Sequence, residues 1–389
     1  MPGGVVHSNL RHLFVALAAC SVLSGGCSYG PVNTASVLTD RGVERIDPKD
    51  GPFVIETVHR AGDDGNEPEE IGAIRWKKTR VGGSLSRDRG LWLKYKPWYF
   101  HLFSQPAVEV EMPGGHRCTA LLDTGCTRAV YVSDLVVRQS DLAVFPMGEH
   151  SDTGCGQGYC HIPAMRLGTV TVENPPCWYE QRHWQLRVLG VPLYRHKTML
   201  IGMGMISKFS HVLFDNANRR VRFSPHDRFE PGESSRWVRV PFLIERDNGG
   251  PRMMVDLSLG GHEVRAEFDT CGAKPGLILR SDVWDRVADS VNARGGRKAL
   301  LPSYQDGWYW CRRYRLRELQ MGDLVLENMK VDVLPAESEF GQDFEGLLTL
   351  DAFRKTAVVL DFAQNVLWIR NGECCDQFPG STCGESPRL

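Results

Sequence analysis

An internal repeat constrains the fold of this chain more than any other feature of its sequence. The segments GGHRCTALLDT (114–124) and GGHEVRAEFDT (260–270) share two glycines, a histidine, an alanine, an aspartate and a threonine at an offset of 146 residues. LFDNANRRVRF (213–223) and VLDFAQNVLWI (359–369) match at the same offset. Self-similarity of this kind indicates one structural unit that is present twice.

A third pair of segments lies between the first two. LGTVTVEN (167–174) corresponds to MGDLVLEN (321–328) at an offset of 154, which requires a longer loop in the second copy. Three matches in the same order predict two homologous domains, over residues 96–235 and 236–371.

Each copy has the sequence pattern of β-strands. Apolar and polar residues alternate in AVEVEM (107–112) and MMVDLSL (253–259), and glycine pairs mark turns. Helical periodicity is limited to short stretches such as 281–291 and 351–356. The pattern therefore predicts a mainly β fold in both copies.

The first 27 residues have the pattern of an export signal. Arg11 and His12 precede the apolar run LFVALAACSVLSGGC (13–27), which is too short to span a membrane. Cys20 in LAAC resembles the lipidated cysteine of bacterial lipoproteins, Cys27 is the alternative, and a plain cleaved signal is the other interpretation. We expect an exported protein, in the periplasm or attached to the outer membrane only through an N-terminal lipid.

The remaining segments carry weaker signals. Residues 28–95 combine proline, glycine and mixed charges and are interpreted as a linker or an N-terminal extension, and residues 372–389 as a cysteine-rich tail. The cysteines after Cys27 lack the usual zinc spacing, so we expect no metal site and favour disulfides whose pairing the sequence leaves open. The 46 basic and 47 acidic residues give a net charge of −1, which does not indicate a nucleic-acid partner.

Two aspartates end equivalent apolar strands, and as a pair their carboxyl groups could carry out acid–base chemistry. Asp123 and Asp269 are each followed by threonine. Two carboxyl groups a few ångströms apart cannot both ionise, so they share a proton. Such a pair can activate a water with one carboxylate and donate a hydrogen bond with the other, without a metal or a covalent intermediate.

The two segments that end in Asp123-Thr124 and Asp269-Thr270, together with LIG at 200–202, resemble the aspartic peptidases of the pepsin and retropepsin clan. The resemblance implies two homologous retropepsin-like acid-protease lobes with a cleft between them. It implies an aspartic endopeptidase that acts on a peptide or protein substrate, without a cofactor. A chain with both lobes fused does not need a homodimer, so a monomer is expected.

The resemblance also assigns roles to residues. Asp123 and Asp269 would form the catalytic pair, and the supporting residues would be Thr124, Gly125, Thr270 and Gly202. Tyr159, in the glycine-rich stretch that follows Asp152–Gly154, is a candidate for a flap over the substrate. Trp308 and Trp310 in DGWYWC (306–311) are candidates for the same role in the second copy, although an aromatic plug over the core is equally consistent with them.

The second copy departs from the family pattern at two places. Cys271 stands where the first copy has Gly125, although Gly272-Ala273 follow it as if one residue had been inserted. Thr349 stands where the first copy has Gly202. Both changes add a side chain behind Asp269, so crowding is expected to displace that carboxyl group. The alternative function is therefore a catalytically impaired peptide-binding or scaffolding lipoprotein with the same fold.

Overall fold

The computed structural model describes the residues that can be placed within the chain: 36–39, 42–45, 53–60, 69–76, 78–82, 92–96, 105–149, 156–181, 184–188, 191–196, 199–232, 236–247, 250–272, 276–303, 307–335 and 345–371. The predicted signal, both candidate lipidation cysteines and the tail 372–389 lie outside these residues. The mainly β prediction is confirmed. No helix within the described ranges is long and apolar enough to cross a membrane.

The strands of the extension and the first copy follow one another in chain order. They are β1 Ser36–Thr39, β2 Gly42–Arg45, β3 Phe53–Arg60, β4 Glu69–Trp76, β5 Arg80–Gly82, β6 Leu93–Lys94, β7 Ala107–Glu111, β8 Arg117–Asp123, β9 Val130–Ser133, β10 Ala143–Glu149, β11 Gly156–His161, β12 Ala164–Leu167, β13 Val170–Glu173, β14 Cys177–Glu180, β15 Trp184–Val188, β16 Val191–His196, β17 Met199–Gly202, β18 His211–Asp215 and β19 Arg220–Ser224. The α-helices of this part are α1 Asp134–Gln139 and α2 Met203–Ile206.

The second copy continues the series. Its strands are β20 Trp237–Pro241, β21 Leu243–Asp247, β22 Gly250–Leu259, β23 His262–Asp269, β24 Leu277–Arg280, β25 Ala293–Ser303, β26 Gly307–Met321, β27 Leu324–Leu334, β28 Gly346–Thr349, β29 Ala357–Asp361 and β30 Val366–Arg370. The stretch 281–291 begins as helix α3 Ser281–Val287, as its periodicity predicts. The stretch 351–356 instead lies on one turn of 3-10 helix, Leu350–Phe353.

Each copy forms its own sheet, and the two sheets repeat the same arrangement around the aspartates. The first has the order β10-β11-β14-β9-β17-β8-β7-β12-β13-β5, and the second has the order β21-β22-β23-β28-β24-β27-β26-β25. In the first, β17 lies parallel to β8 and antiparallel to β9. In the second, β28 lies parallel to β23 and antiparallel to β24. The strand that ends in an aspartate is therefore held in the same way twice.

A third sheet joins the copies. Its order is β20-β30-β29-β18-β19-β6, with β18 of the first copy antiparallel to β29 of the second. His211 lies opposite Asp361 and Asp215 lies opposite Ala357 in this pairing. Backbone hydrogen bonds between β18 and β29 therefore connect the two copies in one continuous sheet.

The repeat is also visible in the turns. Asn174 and Asn328, which correspond at the offset of 154, both have a left-handed φ, of 48° and 54°. Arg219 and Asn365 correspond at the offset of 146 and have φ values of 52° and 53°. Asparagine tolerates this region better than other non-glycine residues. Matching positions in the sequence therefore adopt matching backbone conformations.

Part of the N-terminal extension pairs with the repeated units. β5 lies beside β13 at the edge of the first sheet, and β6 lies beside β19 in the joining sheet. The backbone amide of Tyr95 donates to the carbonyl of Arg219 at 2.8 Å. These short segments act as added edge strands, which cover backbone groups that would otherwise be open to another chain.

His211 of the joining sheet is buried. Its Nδ1 lies 2.8 Å from the carbonyl oxygen of Asp227, so the neutral ring donates there, and the ring packs edge-on against Phe229. Burial lowers the pKa of His211 to about 4, and the charge of Arg222 acts in the same direction. Asp227 and Asp361 raise the pKa by a smaller amount.

The buried His211 predicts a loss of stability in mild acid. A histidine in the unfolded chain has a pKa of about 6.5, so the unfolded state takes up its proton first as the pH falls. The contribution of His211 to the free energy of unfolding should be complete above about pH 6.5 and should fall by about 3 kcal/mol toward pH 4. Urea denaturation of the wild type and His211→Gln between pH 7 and 4 measures this difference. His226→Gln, at an exposed histidine, is the control, and parallel curves for wild type and His211→Gln would contradict the prediction.

Candidate active site

The carboxyl groups of Asp123 and Asp269 lie together where β8 and β23 end. The two carboxyl groups are close enough for a hydrogen bond between them. The two loops are so close that a Cβ added to Gly125 would lie 2.9 Å from Cγ of Asp269. The structure thus brings together two residues that are 146 positions apart in the sequence.

The two threonines join the loops by a reciprocal set of hydrogen bonds. The amide of Thr124 donates to Oγ1 of Thr270, and the amide of Thr270 donates to Oγ1 of Thr124, both at 3.0 Å. Each hydroxyl donates in turn to a backbone carbonyl of the other copy at 2.6 Å, Thr124 to Phe268 and Thr270 to Leu122. Both side chains are buried. This network holds the two strand ends in register, which is a positioning role for both threonines.

Backbone amides orient each carboxyl group. Oδ1 of Asp123 accepts from the amides of Gly125 at 3.0 Å and Cys126 at 3.2 Å. Oδ1 of Asp269 accepts from the amide of Cys271 at 2.7 Å. The side chain at position 271 therefore does not prevent the second loop from holding its aspartate.

The environment favours one shared proton. Desolvation, the negative charge of Asp269 and the hydrogen bond to it raise the pKa of Asp123 well above its usual value. Desolvation also raises the pKa of Asp269, but the amide of Cys271 and the hydrogen bond from Asp123 act in the opposite direction. Burial and the close approach of the two carboxyl groups therefore favour one proton that Asp123 and Asp269 share.

Glycine is required at position 202 because backbone atoms occupy the space around its Cα. An added Cβ would lie 2.2 Å from the carbonyl oxygen of Arg128 and 2.4 Å from that of Cys126. The amide of Met203 donates to the same Cys126 carbonyl at 2.6 Å. The strand β17 thus packs directly against the loop that carries Asp123.

In the second copy, the glycine and the larger side chain occupy exchanged positions. Gly272 lies in the aspartate loop, and Thr349 lies at the end of β28. A Cβ added to Gly272 would lie 2.5 Å from Cγ2 of Thr349, so the glycine here leaves room for the threonine. The second loop is also longer, because Leu277 follows Asp269 by eight residues whereas Val130 follows Asp123 by seven. The expected crowding behind Asp269 is relieved by these two differences.

The two cysteines beside the aspartates are poorly suited to act as nucleophiles. Desolvation and the charge of Asp123 raise the pKa of the Cys126 thiol to about 12. Cys271 is buried, its thiol donates to the carbonyl of Leu122 at 2.8 Å, and desolvation raises its pKa well above the usual value. A thiolate is the reactive form of cysteine, so both thiols have structural roles.

The three aromatic residues predicted to cover the substrate differ in how the structure places them. Tyr159 lies in β11 with its side chain buried, and its ring packs edge-on against Trp178 with centroids 5.7 Å apart. Trp310 in β26 is 65% exposed. Trp308 lies in the same strand, but its side chain and the phrase Asp152–Gly154 fall outside the described residues.

One residue at this site was missed by sequence analysis. The side-chain amide of Gln105 donates to the carbonyl oxygen of Cys271 at 2.8 Å, and Gln105 is buried. It therefore holds the second loop from the segment that enters β7. Its partner is 166 residues away, and no motif surrounds it, so no sequence signal indicated the contact.

Comparisons with known proteins give structural likenesses only. No family model matches the chain, and no curated protein matches it. Basic 7S globulin from soybean is similar at 11% identity and a TM-score of 0.41, covering 69% of this chain and 93% of the globulin. The structure called edgp is similar at 10% identity and a TM-score of 0.43, covering 72% and 94%. A retropepsin-like aspartic protease from Rickettsia conorii is similar at 10% identity and a TM-score of 0.24, covering 36% and 93%. At such low identities and TM-scores, none of these likenesses assigns an activity to this chain.

Proposed function

We propose that this protein is an aspartic endopeptidase in which Asp123 and Asp269 form the catalytic pair. The observation that supports the proposal is the close approach of the two carboxyl groups, within hydrogen-bonding distance, at the ends of equivalent strands. Paired carboxyl groups of opposite protonation state are the arrangement that general acid–base hydrolysis requires.

The proposed reaction assigns a different task to each carboxyl group. The ionised Asp269 takes a proton from a water that lies between the pair, and the oxygen of that water attacks the peptide carbonyl carbon. The protonated Asp123 donates to the carbonyl oxygen, so that no full negative charge develops there. When the tetrahedral intermediate collapses, the proton on Asp269 passes to the leaving nitrogen and the C–N bond breaks. One hydroxyl of the intermediate returns its proton to Asp123 as the C=O bond re-forms, which restores the starting state of the pair.

The surrounding residues would keep this pair in position. Thr124 and Thr270 join the strand ends, and Gly125 and Gly202 allow the first loop to approach its neighbours closely. A displacement of about 1 Å in such a site can lower the rate about 100-fold. These four residues are therefore proposed as positioning residues rather than as participants in proton transfer.

The partner and location are proposed from the sequence alone. The substrate would be a peptide or a protein that lies across the aspartates, and the N-terminal signal favours export with a lipid attached to Cys20 or Cys27. The alternative, a peptide-binding lipoprotein without activity, rests on the unusual residues Cys271 and Thr349. The amide of Cys271 still donates to Asp269, and this hydrogen bond supports the enzyme over the alternative.

The proposal is tested by incubating the purified mature protein with an unbiased peptide mixture from about pH 3 to pH 7, the range in which a shared-proton pair works. Mass spectrometry should identify new termini, and the cleavage should survive treatment with a thiol-alkylating reagent. Cleavage that is abolished by alkylation, and also by Cys126→Ser, would assign the chemistry to a thiol. Peptide binding without any cleavage across this range would favour the scaffolding alternative.

A further inference from the structure

Two cysteines outside the candidate active site lie directly opposite each other on neighbouring strands. Cys160 in β11 and Cys177 in β14 are register partners in the antiparallel pairing of these strands. Residues in this relation have Cα atoms about 4.5 to 5.5 Å apart, and their side chains project from the same face of the sheet. That separation lies within the range of about 4.4 to 6.8 Å that a disulfide bridges without moving the backbone.

The side chains of this pair also meet. The thiols of Cys160 and Cys177 are within hydrogen-bonding distance of each other, and both side chains are fully buried in the main core. The thiol of Cys177 also makes a weak contact, at 3.7 Å, with the carbonyl oxygen of Trp178. The two buried thiols are therefore neighbours across the strand pair.

The other described cysteines have different neighbours. The thiol of Cys118 lies 3.3 Å from Sδ of Met199, and the thiol of Cys311 lies 3.4 Å from the carbonyl oxygen of Ala299. Cys126 and Cys271 belong to the two aspartate loops, where the Cys271 thiol donates to a carbonyl. Among the described cysteines, register and contact together single out Cys160 and Cys177.

We propose that Cys160 and Cys177 form a cross-strand disulfide when the chain folds in the presence of a disulfide-bearing oxidant. Both are thiols in the structure, so the bond requires an oxidation. One cysteine, as its thiolate, attacks a sulfur of the oxidant and releases one thiol. The second thiolate then attacks this mixed disulfide, forms the Cys160–Cys177 bond and releases the second thiol, so that two electrons and two protons pass to the oxidant.

The position of the bond determines when it forms and what it holds. Because both thiols are buried, exchange must occur before β11 and β14 have closed over them. The bond closes a short loop that contains the hairpin of β12 and β13, and it ties the β10–β11 hairpin to β14. β14 lies parallel to β9, which leads out of the first aspartate loop, so the bond stiffens one side of the candidate site.

The test refolds the full mature chain with oxidised glutathione, blocks the remaining thiols with N-ethylmaleimide and maps the peptides without reduction. We expect one cross-linked peptide that joins Cys160 to Cys177, and a melting temperature that falls by about 5 °C or more when the bond is reduced. Cys118→Ser should keep both results, whereas Cys160→Ser and Cys177→Ser should each lose the cross-link.

Two results would overturn the proposal. One is maleimide on both Cys160 and Cys177 after denaturation of the oxidatively refolded wild type. The other is a cross-link between Cys155, which lies outside the described residues, and either member of the pair. Both are read from the wild-type protein, so they stand even if a serine variant fails to fold.

Discussion

Replacing either Asp123 or Asp269 with asparagine is expected to lower the rate of peptide cleavage by about 10³-fold or more. Each variant removes one of two proton-transfer groups, and such groups contribute about 10² to 10⁴ to a rate. The variants should remain folded, because an asparagine oxygen can still accept from the amides of Gly125, Cys126 or Cys271. The measurement is the initial rate on one peptide identified from the mixture, with a melting curve for each variant.

The pH dependence of the wild type provides a second test of the same pair. Because the pKa of Asp123 is raised, its proton should persist to a pH higher than that of an ordinary aspartic acid, and activity should be lost as the pH rises through that value. Activity should also be lost as the pH falls through the pKa of Asp269, which desolvation raises above the usual value of an aspartic acid. A bell-shaped profile is therefore expected.

The control for these variants is Asp282→Asn. Asp282 is exposed at the start of α3 and is paired with Arg280, away from the aspartate loops. It should leave the rate and the pH profile unchanged. If Asp269→Asn cleaves as fast as the wild type, the two-aspartate mechanism is wrong for this chain.

Gly202→Ala is expected to destabilise the protein by about 3 kcal/mol or more and to reduce cleavage at least about 100-fold. The new Cβ would lie 2.2 Å and 2.4 Å from two backbone carbonyl oxygens, which cannot move aside as a flexible side chain can. The loop that carries Asp123 must shift, and a shift of about 1 Å is sufficient for this loss of rate. Urea denaturation and the peptide assay measure the two effects separately.

The matched control is Gly232→Ala, where an added Cβ meets nothing within 4 Å. This variant should change the free energy of unfolding by less than about 1 kcal/mol. If Gly202→Ala is as stable and as active as this control, β17 does not position the first loop in the way described.

The equivalent glycine of the second copy permits a rescue experiment. Gly272→Ala should clash with Cγ2 of Thr349, which is a side-chain atom. Thr349→Ser removes that atom, so the double variant should recover most of the stability lost in Gly272→Ala. Additive losses would show that the two positions do not share the space.

The sequence by itself determined the duplication, the mainly β class and the choice of both aspartates. These features depend on local order: alternating apolar residues, turn residues and a motif that recurs at a fixed offset. The left-handed turns at Asn174 and Asn328 follow the same repeat. A property that is repeated twice along a chain can be recognised without knowing where either copy lies in space.

Only the tertiary structure decided whether the second loop holds its aspartate. The sequence showed Cys271 and Thr349 as two additions behind Asp269, together with one inserted residue, but only the structure shows that Gly272 leaves the room that Thr349 needs. The sequence also did not predict the hydrogen bond between Gln105 and Cys271 or the pairing of Cys160 with Cys177 on neighbouring strands. Such contacts depend on strand register and on distances between remote segments, and neither is encoded in the pattern of any single segment.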